Sequence, residues 1–280
     1  DWSSDVCSSD LLVILVMHPE WLPLGPGALP ANFSQADFVG GSLDTRATGR
    51  MPPIVSYQGK QAYQFTYQAG KIHGEGVNGS ITLRPPALPA TQARVRFRVW
   101  FADNFPWDGA NNQPVGGKLG GFMIGTGEAS GGNYSPTGAS FRVVFKKDGE
   151  LDGYLYPAVR RPYQGRSISW EALDQSDEVR AVGSIATGVH LWRGGPLKVY
   201  KGRWNTIDMF CRLNTPGAKD GILALAVNGV TRQLSTVRYR YDSARIERFE
   251  LGTFFGGGDQ SYAPRVTTSA WFSDFLFTRA

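Results

Sequence analysis

The longest regular pattern in the sequence is an alternation of apolar and charged residues over Gln92–Phe101. Three apolar side chains fall on one side of this run and three arginines fall on the other: Val95, Phe97 and Val99 against Arg94, Arg96 and Arg98. A period of two is the period of a β-strand, in which successive side chains point to opposite faces of the sheet. The run therefore predicts a strand that buries one face in an apolar core.

Shorter runs of the same kind follow along the chain, and turn-forming residues separate them. The 280 residues include 35 glycines and 17 prolines, which interrupt nearly every candidate helix. The hydrophobic share of 41% is large enough for a sizeable core. These features predict an all-β domain of many strands joined by turns.

The charge balance favours a polyanionic partner, because the formal net charge is +5 and the isoelectric point is about 9.2. Nucleic acid, an anionic polysaccharide and a membrane surface all fit, and charge does not choose among them. No stretch of the sequence is long and apolar enough to cross a bilayer. The two cysteines allow at most one disulfide bond and do not indicate a redox compartment.

A cluster of chemically useful side chains lies between residues 118 and 156, in three strand-like runs: Lys118–Ile124, Ala139–Lys146 and Leu151–Tyr156. The KDG turn at residues 147–149 is predicted to close the last two runs into a hairpin. Alternation then sends one set of side chains toward the core and the other to an exposed face: Phe141, Val143, Phe145 and Leu155 inward, and Ser140, Arg142, Tyr154 and Tyr156 outward. Lys118 joins the exposed set if its strand lies alongside.

Two cations, a hydroxyl and two phenols on one sheet face suit the β-elimination of a uronic-acid polymer. This reaction removes the C5 proton, which is only weakly acidic because the neighbouring C6 carboxylate already carries negative charge. An enzyme must neutralise that carboxylate so that more charge can build up in the transition state. Arginine offers a planar fork that matches a carboxylate, and lysine adds a compact charge. A phenol between two cations ionises more readily, so it can serve as base or acid.

The same pattern also fits an ordinary solvent-facing sheet, where arginine and aromatic residues are common. Three segments favour the enzyme because they resemble the core of polysaccharide lyase family 14: KLGGF from Lys118, ASFRVVF from Ala139 and GELDGYLYP from Gly149. The segments FFGGGD, at Phe254–Asp259, and WFSDF, from Trp271, resemble the closing strands of that family. The similarity is strongest between residues 116 and 157.

The resemblance implies a single antiparallel β-sandwich of jelly-roll type with a concave basic cleft. It also implies a polysaccharide lyase that cleaves alginate or glucuronan by β-elimination and leaves an unsaturated uronate at the new non-reducing end. Arg142 and Lys118 are expected to bind and neutralise the C6 carboxylate. Tyr154 or Tyr156 is expected to transfer the protons, and Ser140 to orient the sugar. Lys118 is the alternative base if burial lowers its pKa.

Further candidates for substrate binding are Arg94, Arg96, Arg98, Trp107 and Asp259. The three arginines would form a basic track that holds an extended polyuronate, although a solvated outer sheet face explains them without a substrate. Trp107 would stack on a sugar ring, or else pack at the edge of the core. Asp259 is included because it ends the FFGGGD segment.

Two other classes of function remain open. A lectin-like, non-catalytic module would use the same basic face and aromatic residues without an acid and base. The VRYRY run at residues 237–241 interleaves cations with aromatic rings, as single-stranded nucleic-acid binders do, and an exposed strand edge also explains it. We expect an anionic polysaccharide as the partner of a monomer, with no nucleic acid and no membrane. The histidines and acidic residues show no metal-ligand spacing, so no metal or other cofactor is expected.

Two segments that flank the cluster have alternative interpretations. The Gly125–Gly138 loop lacks any nucleotide-binding spacing, and it is either a lid over the cleft or a plain connector. His190 lies in the strand-like context VHLW, which is more typical of a packed histidine than of a catalyst.

Residues 1–34 are expected to lie outside the folded domain, which then spans residues 35–280. Residues 1–11 read like the translation of a sequencing adapter and carry no argument about the fold. The apolar run Leu11–Met17 and the small residues near Ala31 fit the tail of a truncated secretory signal, although mistranslated or disordered sequence fits as well. The resulting expectation is a secreted or extracellular protein.

Overall fold

The computed structural model describes residues 42–45, 51–85, 88–107, 114–127, 129–164, 168–175, 179 and 188–278. The predictions for residues 1–34 lie outside the described residues. None of the helices in the described ranges is long and apolar enough to span a membrane.

The described residues form mainly strands joined by turns, with a short α-helix and three 3-10 helices at His73–Gly76, Lys147–Gly149 and Gln260–Tyr262. The strands are β1 (Ser42–Thr45), β2 (Ile54–Tyr57), β3 (Lys60–Tyr67), β4 (Ile81–Arg84), β5 (Gln92–Phe101), β6 (Gly116–Gly125), β7 (Asn133–Tyr134), β8 (Gly138–Lys146), β9 (Leu151–Tyr156), β10 (Tyr163–Gln164), β11 (Val189–His190), β12 (Trp204–Arg212), β13 (Gly221–Val227), β14 (Val230–Val237), β15 (Ile246–Leu251), β16 (Phe254–Phe255) and β17 (Thr268–Thr278). The helix is α1 (Trp170–Leu173).

The strands make two large antiparallel sheets. The front sheet has the order β1-β4-β15-β6-β8-β9-β11, with β16 also paired to β6. The back sheet has the order β14-β13-β12-β5-β17-β3-β2, and β7 and β10 form a separate ribbon. The predicted all-β, antiparallel sandwich of jelly-roll type is therefore confirmed. A concave basic cleft is not established and stays a prediction.

The core lies between the two sheets, where alternate side chains of each strand meet. Strand β5 has the predicted bounds, and Val95, Phe97 and Val99 are fully buried, as the alternation indicates. The Phe97 ring of the back sheet lies 5.9 Å from the Phe249 ring of the front sheet. Apolar burial of this kind is the main stabilising contribution to such a sandwich, and it leaves each sheet with a second, outward face.

Candidate active site

The β8–β9 hairpin sets the row of side chains that the sequence predicts. Its register pairs Ser140 with Tyr156 and Arg142 with Tyr154, so all four side chains share one face of the front sheet. The turn at residues 147–149 closes the hairpin, and Asp148 adopts a left-handed backbone conformation there. Phe141, Val143, Phe145 and Leu155 lie on the other face, in the core. The predicted hairpin and its two faces are confirmed.

This face is enclosed, and its predicted exposure is wrong. The exposed fractions are only 0% for Ser140, 1% for Tyr156, 5% for Tyr154 and 8% for Arg142. The Gly125–Gly138 loop covers part of the face, because Ser140 Oγ donates to Ala129 O at 2.7 Å and Gly132 N donates to Tyr156 Oη at 3.1 Å. The sequence left open whether this loop is a lid or a plain connector, and alternation along a strand could not decide between the two.

Gly188 also lies against this face. A Cβ atom at this position would lie 2.6 Å from ring carbons of both Tyr154 and Tyr156. Only glycine lets the backbone approach the two phenols so closely. The two phenolic oxygens are 3.3 Å apart, within hydrogen-bonding distance of each other.

A β-bulge turns Lys118 onto the same face. Lys118 pairs with Val144, whereas Gly120 pairs with Val143, so Leu119 is the extra residue. Strict alternation from Phe122, whose ring is in the core, would direct Lys118 into the core as well. The bulge reverses this direction, and Leu119 is buried in the core instead. Gly120 has a φ angle of +152°, which favours glycine at the bulge.

Gly121 leaves room for the side chain of Arg142. It is the register partner of Arg142 on β8 and of Glu250 on β15, so these side chains approach each other over a residue without a side chain. A Cβ atom at Gly121 would lie 2.2 Å from Phe141 O and 2.8 Å from Arg142 Cγ. Arg142 Nη2 lies 3.4 Å from Glu250 Oε2 and 3.2 Å from Met123 Sδ.

Burial dominates the electrostatics of the two cations. It lowers the pKa of Lys118 to about 7, and repulsion from Arg142 adds to the effect while Glu250 opposes it. Burial likewise lowers the pKa of Arg142, against the attraction of Glu250. Among the described residues, Arg142 Nε has no acceptor and Lys118 Nζ has no carboxylate within 4.0 Å. Lys118 Nζ instead lies 5.6 Å from the Tyr154 ring centroid and 5.4 Å from that of Phe254.

An aspartate–histidine pair lies beside Tyr154; the sequence did not single out Asp152, and it favoured a packed role for His190. Asp152 is fully buried and accepts hydrogen bonds from Trp192 N at 2.7 Å, from Leu191 N at 3.1 Å and from Lys146 Nζ. His190 Nδ1 lies 3.0 Å from Asp152 Oδ2, and its ring centroid is 4.7 Å from that of Tyr154.

The protonation of this pair follows from its surroundings. Burial alone would raise the pKa of Asp152, but hydrogen bonding from His190 and the charge of Lys146 reverse this and lower it. Burial lowers the pKa of His190, against its hydrogen bond to Asp152. A neutral His190 that donates from Nδ1 to the carboxylate presents its Nε2 lone pair on the far side of the ring.

The two members of the pair differ in how far sequence could have revealed them. Asp152 precedes Tyr154 by two residues, so alternation alone could have placed it on this face. His190 reaches the face because β11 pairs with β9, and no local pattern signals that pairing.

The predicted arginine track does not run along this site. Arg94 and Arg96 are on the outer face of the back sheet, where both are buried and donate to Asp208 at 2.5 and 2.6 Å. Arg98 lies on the same outer face, 3.3 Å from Asp274. The alternation of β5 defined two faces correctly, but it could not show that carboxylates neutralise the arginines or that the site belongs to the other sheet.

Trp107 is a core residue, so its predicted stacking on a sugar ring is wrong. It is 5% exposed and packs against the Phe101 and Phe105 rings, at 4.7 and 5.1 Å. Asp259 is exposed and accepts from Ser261 N at 2.8 Å, which caps the turn at Gln260–Tyr262. A role of Asp259 in substrate binding stays a prediction.

The VRYRY run is not an open basic edge. Arg238 is buried, pairs with Asp174 and lies 5.1 Å from the Tyr241 ring. Arg240 is also buried and donates to Asn214 O at 2.8 Å. In the described part of the chain, no group of three or more His, Cys, Asp or Glu side chains could hold a metal ion.

The comparisons with known proteins identify the family. A model of the family polysaccharide lyase 14 matches residues 56–275, which is most of the chain, so the chain belongs to this family. The resemblance found in the sequence is thereby confirmed. Nothing in the comparisons favours a non-catalytic binding module.

Solved structures of lyases share the fold. Alginate lyase vAL-1 from Chlorella virus superposes with a TM-score of 0.71 at 22% identity, over 90% of this chain and 100% of that one. The marine PL-14 alginate lyase from Aplysia kurodai superposes with a TM-score of 0.69 at 20% identity, over 90% of this chain and 97% of that one. The endo-β-1,4-glucuronan lyase from the fungus Trichoderma reesei superposes with a TM-score of 0.50 at 11% identity, over 86% of this chain and 87% of that one. At these identities the likeness establishes the fold.

A relative found by sequence matches a smaller share of this chain. Exolysin of Paramecium bursaria Chlorella virus 1 is 27% identical over 187 residues, which is 61% of this chain. The match spans only about a quarter of that relative's length, 27%.

Replacing Gly121 by alanine tests the geometry of the site. The new Cβ would clash with Phe141 O and displace Arg142, and a misplacement of about 1 Å can cost on the order of 10²-fold in rate. We expect such a loss in kcat on a polyuronate substrate. Gly252→Ala is the matched control, because a Cβ there meets nothing within 4 Å and the variant should keep its activity. Equal activity of the two variants would contradict this geometry.

Proposed function

We propose that this protein is a polysaccharide lyase that cleaves a polyuronate, such as alginate or glucuronan, by β-elimination. The observation that carries the proposal is the convergence of Lys118, Arg142 and two phenols on one enclosed face, in a chain of the polysaccharide lyase 14 family. The names of the similar structures, alginate and glucuronan lyases, support a uronate as the substrate class. The product would carry an unsaturated uronate at its new non-reducing end.

Arg142 is the group that would neutralise the C6 carboxylate. Its guanidinium is held at one side by Glu250 and Met123, and its Nε has no acceptor among the described residues. A substrate carboxylate would bring a second anion to this buried cation, where electrostatic interactions are strong. The negative charge that moves toward C6 in the transition state is then stabilised more than the ground state, which is the condition for catalysis.

Lys118 is the better candidate for the base that removes the C5 proton. A lysine with a pKa of about 7 is largely uncharged at slightly alkaline pH, so its nitrogen lone pair can accept a proton. No carboxylate among the described residues lies within 4.0 Å to hold it as an ammonium ion. The alternative left by the sequence, that a tyrosine is the base, has no comparable support.

The phenol pair would then act as the acid. As the C5–H bond breaks, its electron pair forms the C4–C5 double bond, and the C4–O4 bond breaks with its electrons on O4. Either Tyr154 or Tyr156 can deliver a proton to O4, and the 3.3 Å contact between their hydroxyls allows the second phenol to share the resulting charge. The N–H of Gly132 donates to the same oxygen of Tyr156 and stabilises it further.

Ser140 would act on this arrangement through the covering loop. Its hydroxyl donates to Ala129 O, which fixes the loop that carries the Gly132 N–H. Its expected role in orienting the sugar is therefore better described as positioning the loop over Tyr156.

The test of the activity is an ultraviolet assay of the unsaturated uronate, on a panel of purified polyuronates that includes alginate and glucuronan. Lys118→Ala and Arg142→Ala should each lower kcat by about 10²- to 10³-fold, because each removes a group that acts in the transition state. Lys198→Ala and Arg232→Ala are matched controls at exposed positions and should retain activity. Absence of new absorbance on every polyuronate with the parent protein would refute the lyase function.

The pH profile tests the assignment of Lys118 as the base. Since the neutral amine is the active form, kcat/KM should rise as pH increases, with a midpoint of about 7. Glu250 favours the charged ammonium, so Glu250→Gln should lower the pKa of Lys118 and move the midpoint to lower pH. A midpoint that moves to higher pH, or a rate that falls as pH rises through 7, would contradict the assignment.

A further inference from the structure

The outer face of the back sheet carries a row of aromatic residues on the side opposite to the candidate active site. Trp204 on β12, Trp100 on β5 and Trp271 on β17 are direct cross-strand partners. Tyr57, at the end of β2, stacks on Trp271 with 3.7 Å between ring centroids and 2° between ring planes. We call these four residues the aromatic row.

The rings of the row contact one another and are partly open to solvent. The Trp100 ring lies 5.8 Å from Tyr57 and 5.7 Å from Trp204, with both pairs near perpendicular. Trp204 Nε1 donates to Gln58 O at 3.3 Å, which fixes that indole. Trp271 is buried beneath Tyr57, but the other three rings are each partly exposed. Neighbouring large aromatic side chains that remain exposed mark an interaction site more often than isolated ones do.

Cations surround the row. Arg98 lies two residues before Trp100 on the same face of β5, 3.3 Å from the carboxylate of Asp274. Lys60, on β3, lies 2.6 Å from the same carboxylate. One buried carboxylate therefore faces two cations. Arg203, which directly precedes Trp204, is exposed, and its guanidinium lies 3.8 Å from the Tyr200 ring centroid. Within the described ranges it has no carboxylate within 4.0 Å.

We propose that the aromatic row is a second, non-catalytic binding surface for an anionic polysaccharide. A pyranose ring has an apolar face of C–H groups that packs on an aromatic ring, and the row offers three such rings side by side. The carboxylates at the edges of uronate rings then meet Arg203, Arg98 and Lys60. That the polymer is the one cleaved at the front sheet rests on the proposed function.

A polysaccharide suits this surface better than a second copy of the chain. The centres of protein–protein interfaces are depleted in charged residues, whereas Arg98, Lys60 and Arg203 lie beside the rings here. An anionic sugar chain stays hydrated and uses both the rings and the charges. Because the row and the candidate active site are on opposite faces of the sandwich, the row would hold the enzyme on a polymer and raise the local substrate concentration.

The binding experiment uses the full chain with Lys118→Ala, so that the polymer is not consumed. Native electrophoresis is run through gels that contain alginate, glucuronan or neutral dextran. Adding Trp100→Ala together with Trp204→Ala should weaken retardation by the uronate gels about tenfold or more, with no change in dextran. Adding Arg203→Ala should weaken it about threefold, and the matched exposed cation Arg232→Ala should leave it unchanged.

Kinetic measurements on variants that keep Lys118 distinguish an effect of the row from an effect on the active site. The ratio of KM for polymer to KM for a short oligosaccharide should rise in the row variants and stay constant in Arg232→Ala. If the double tryptophan variant does not fold, Trp204→Ala alone and Arg203→Ala decide the question, because neither removes a buried core side chain.

Unchanged retardation in the row variants would overturn the proposal. So would a parent protein that is dimeric in solution and becomes monomeric when the row is altered, because the row would then be a protein interface. If no polyuronate is cleaved but the row variants still lose retardation, the lyase function fails and the second surface stands. If cleavage is normal and retardation is independent of the row, the lyase function stands and the second surface fails.

Discussion

The chemistry of the front sheet depends on two basic side chains, Lys118 and Arg142, that both feel the charge of one carboxylate, Glu250. Arg142 contacts Glu250, and Lys118 Nζ lies 5.6 and 5.4 Å from the ring centroids of Tyr154 and Phe254. Burying charge without neutralising it is costly, and a lysine responds by a lowered pKa. The chain tolerates this arrangement because the apolar contacts between the two sheets supply the stability that the site does not.

Backbone devices, more than side-chain choice, bring the cations together. The bulge at Leu119 reverses the direction of Lys118, and Gly120 accepts the unusual backbone angle that the bulge needs. Gly121 leaves room for Arg142, and Gly188 lets a neighbouring segment approach the two phenols. Each glycine removes a side chain where a functional side chain or backbone must pass. The result is an enclosed face on a sheet that, by strand pattern alone, would look open.

The sequence predicted what depends on local periodicity. The β8–β9 hairpin, its turn and its two faces follow from alternation, and so do the bounds of β5. Features that depend on distant segments were not accessible in this way. The cover over Tyr156 comes from the Gly125–Gly138 loop, and His190 joins the site through the pairing of β11 with β9. The arginines of β5 were assigned to the site because alternation shows that the strand has a second face. Alternation does not show which residues lie on that face beside them, and Arg94 and Arg96 in fact pair with Asp208 there.

The arrangement of the front face has one defining property, the low pKa of Lys118. The most direct measurement is a titration of its side chain by NMR, with the resonance assigned by comparison with Lys118→Arg. We predict a midpoint of about 7 for Lys118 in the folded, substrate-free protein. A midpoint near the ordinary lysine value of about 10.4 would contradict the account, because the amine would then stay charged and could not take the C5 proton.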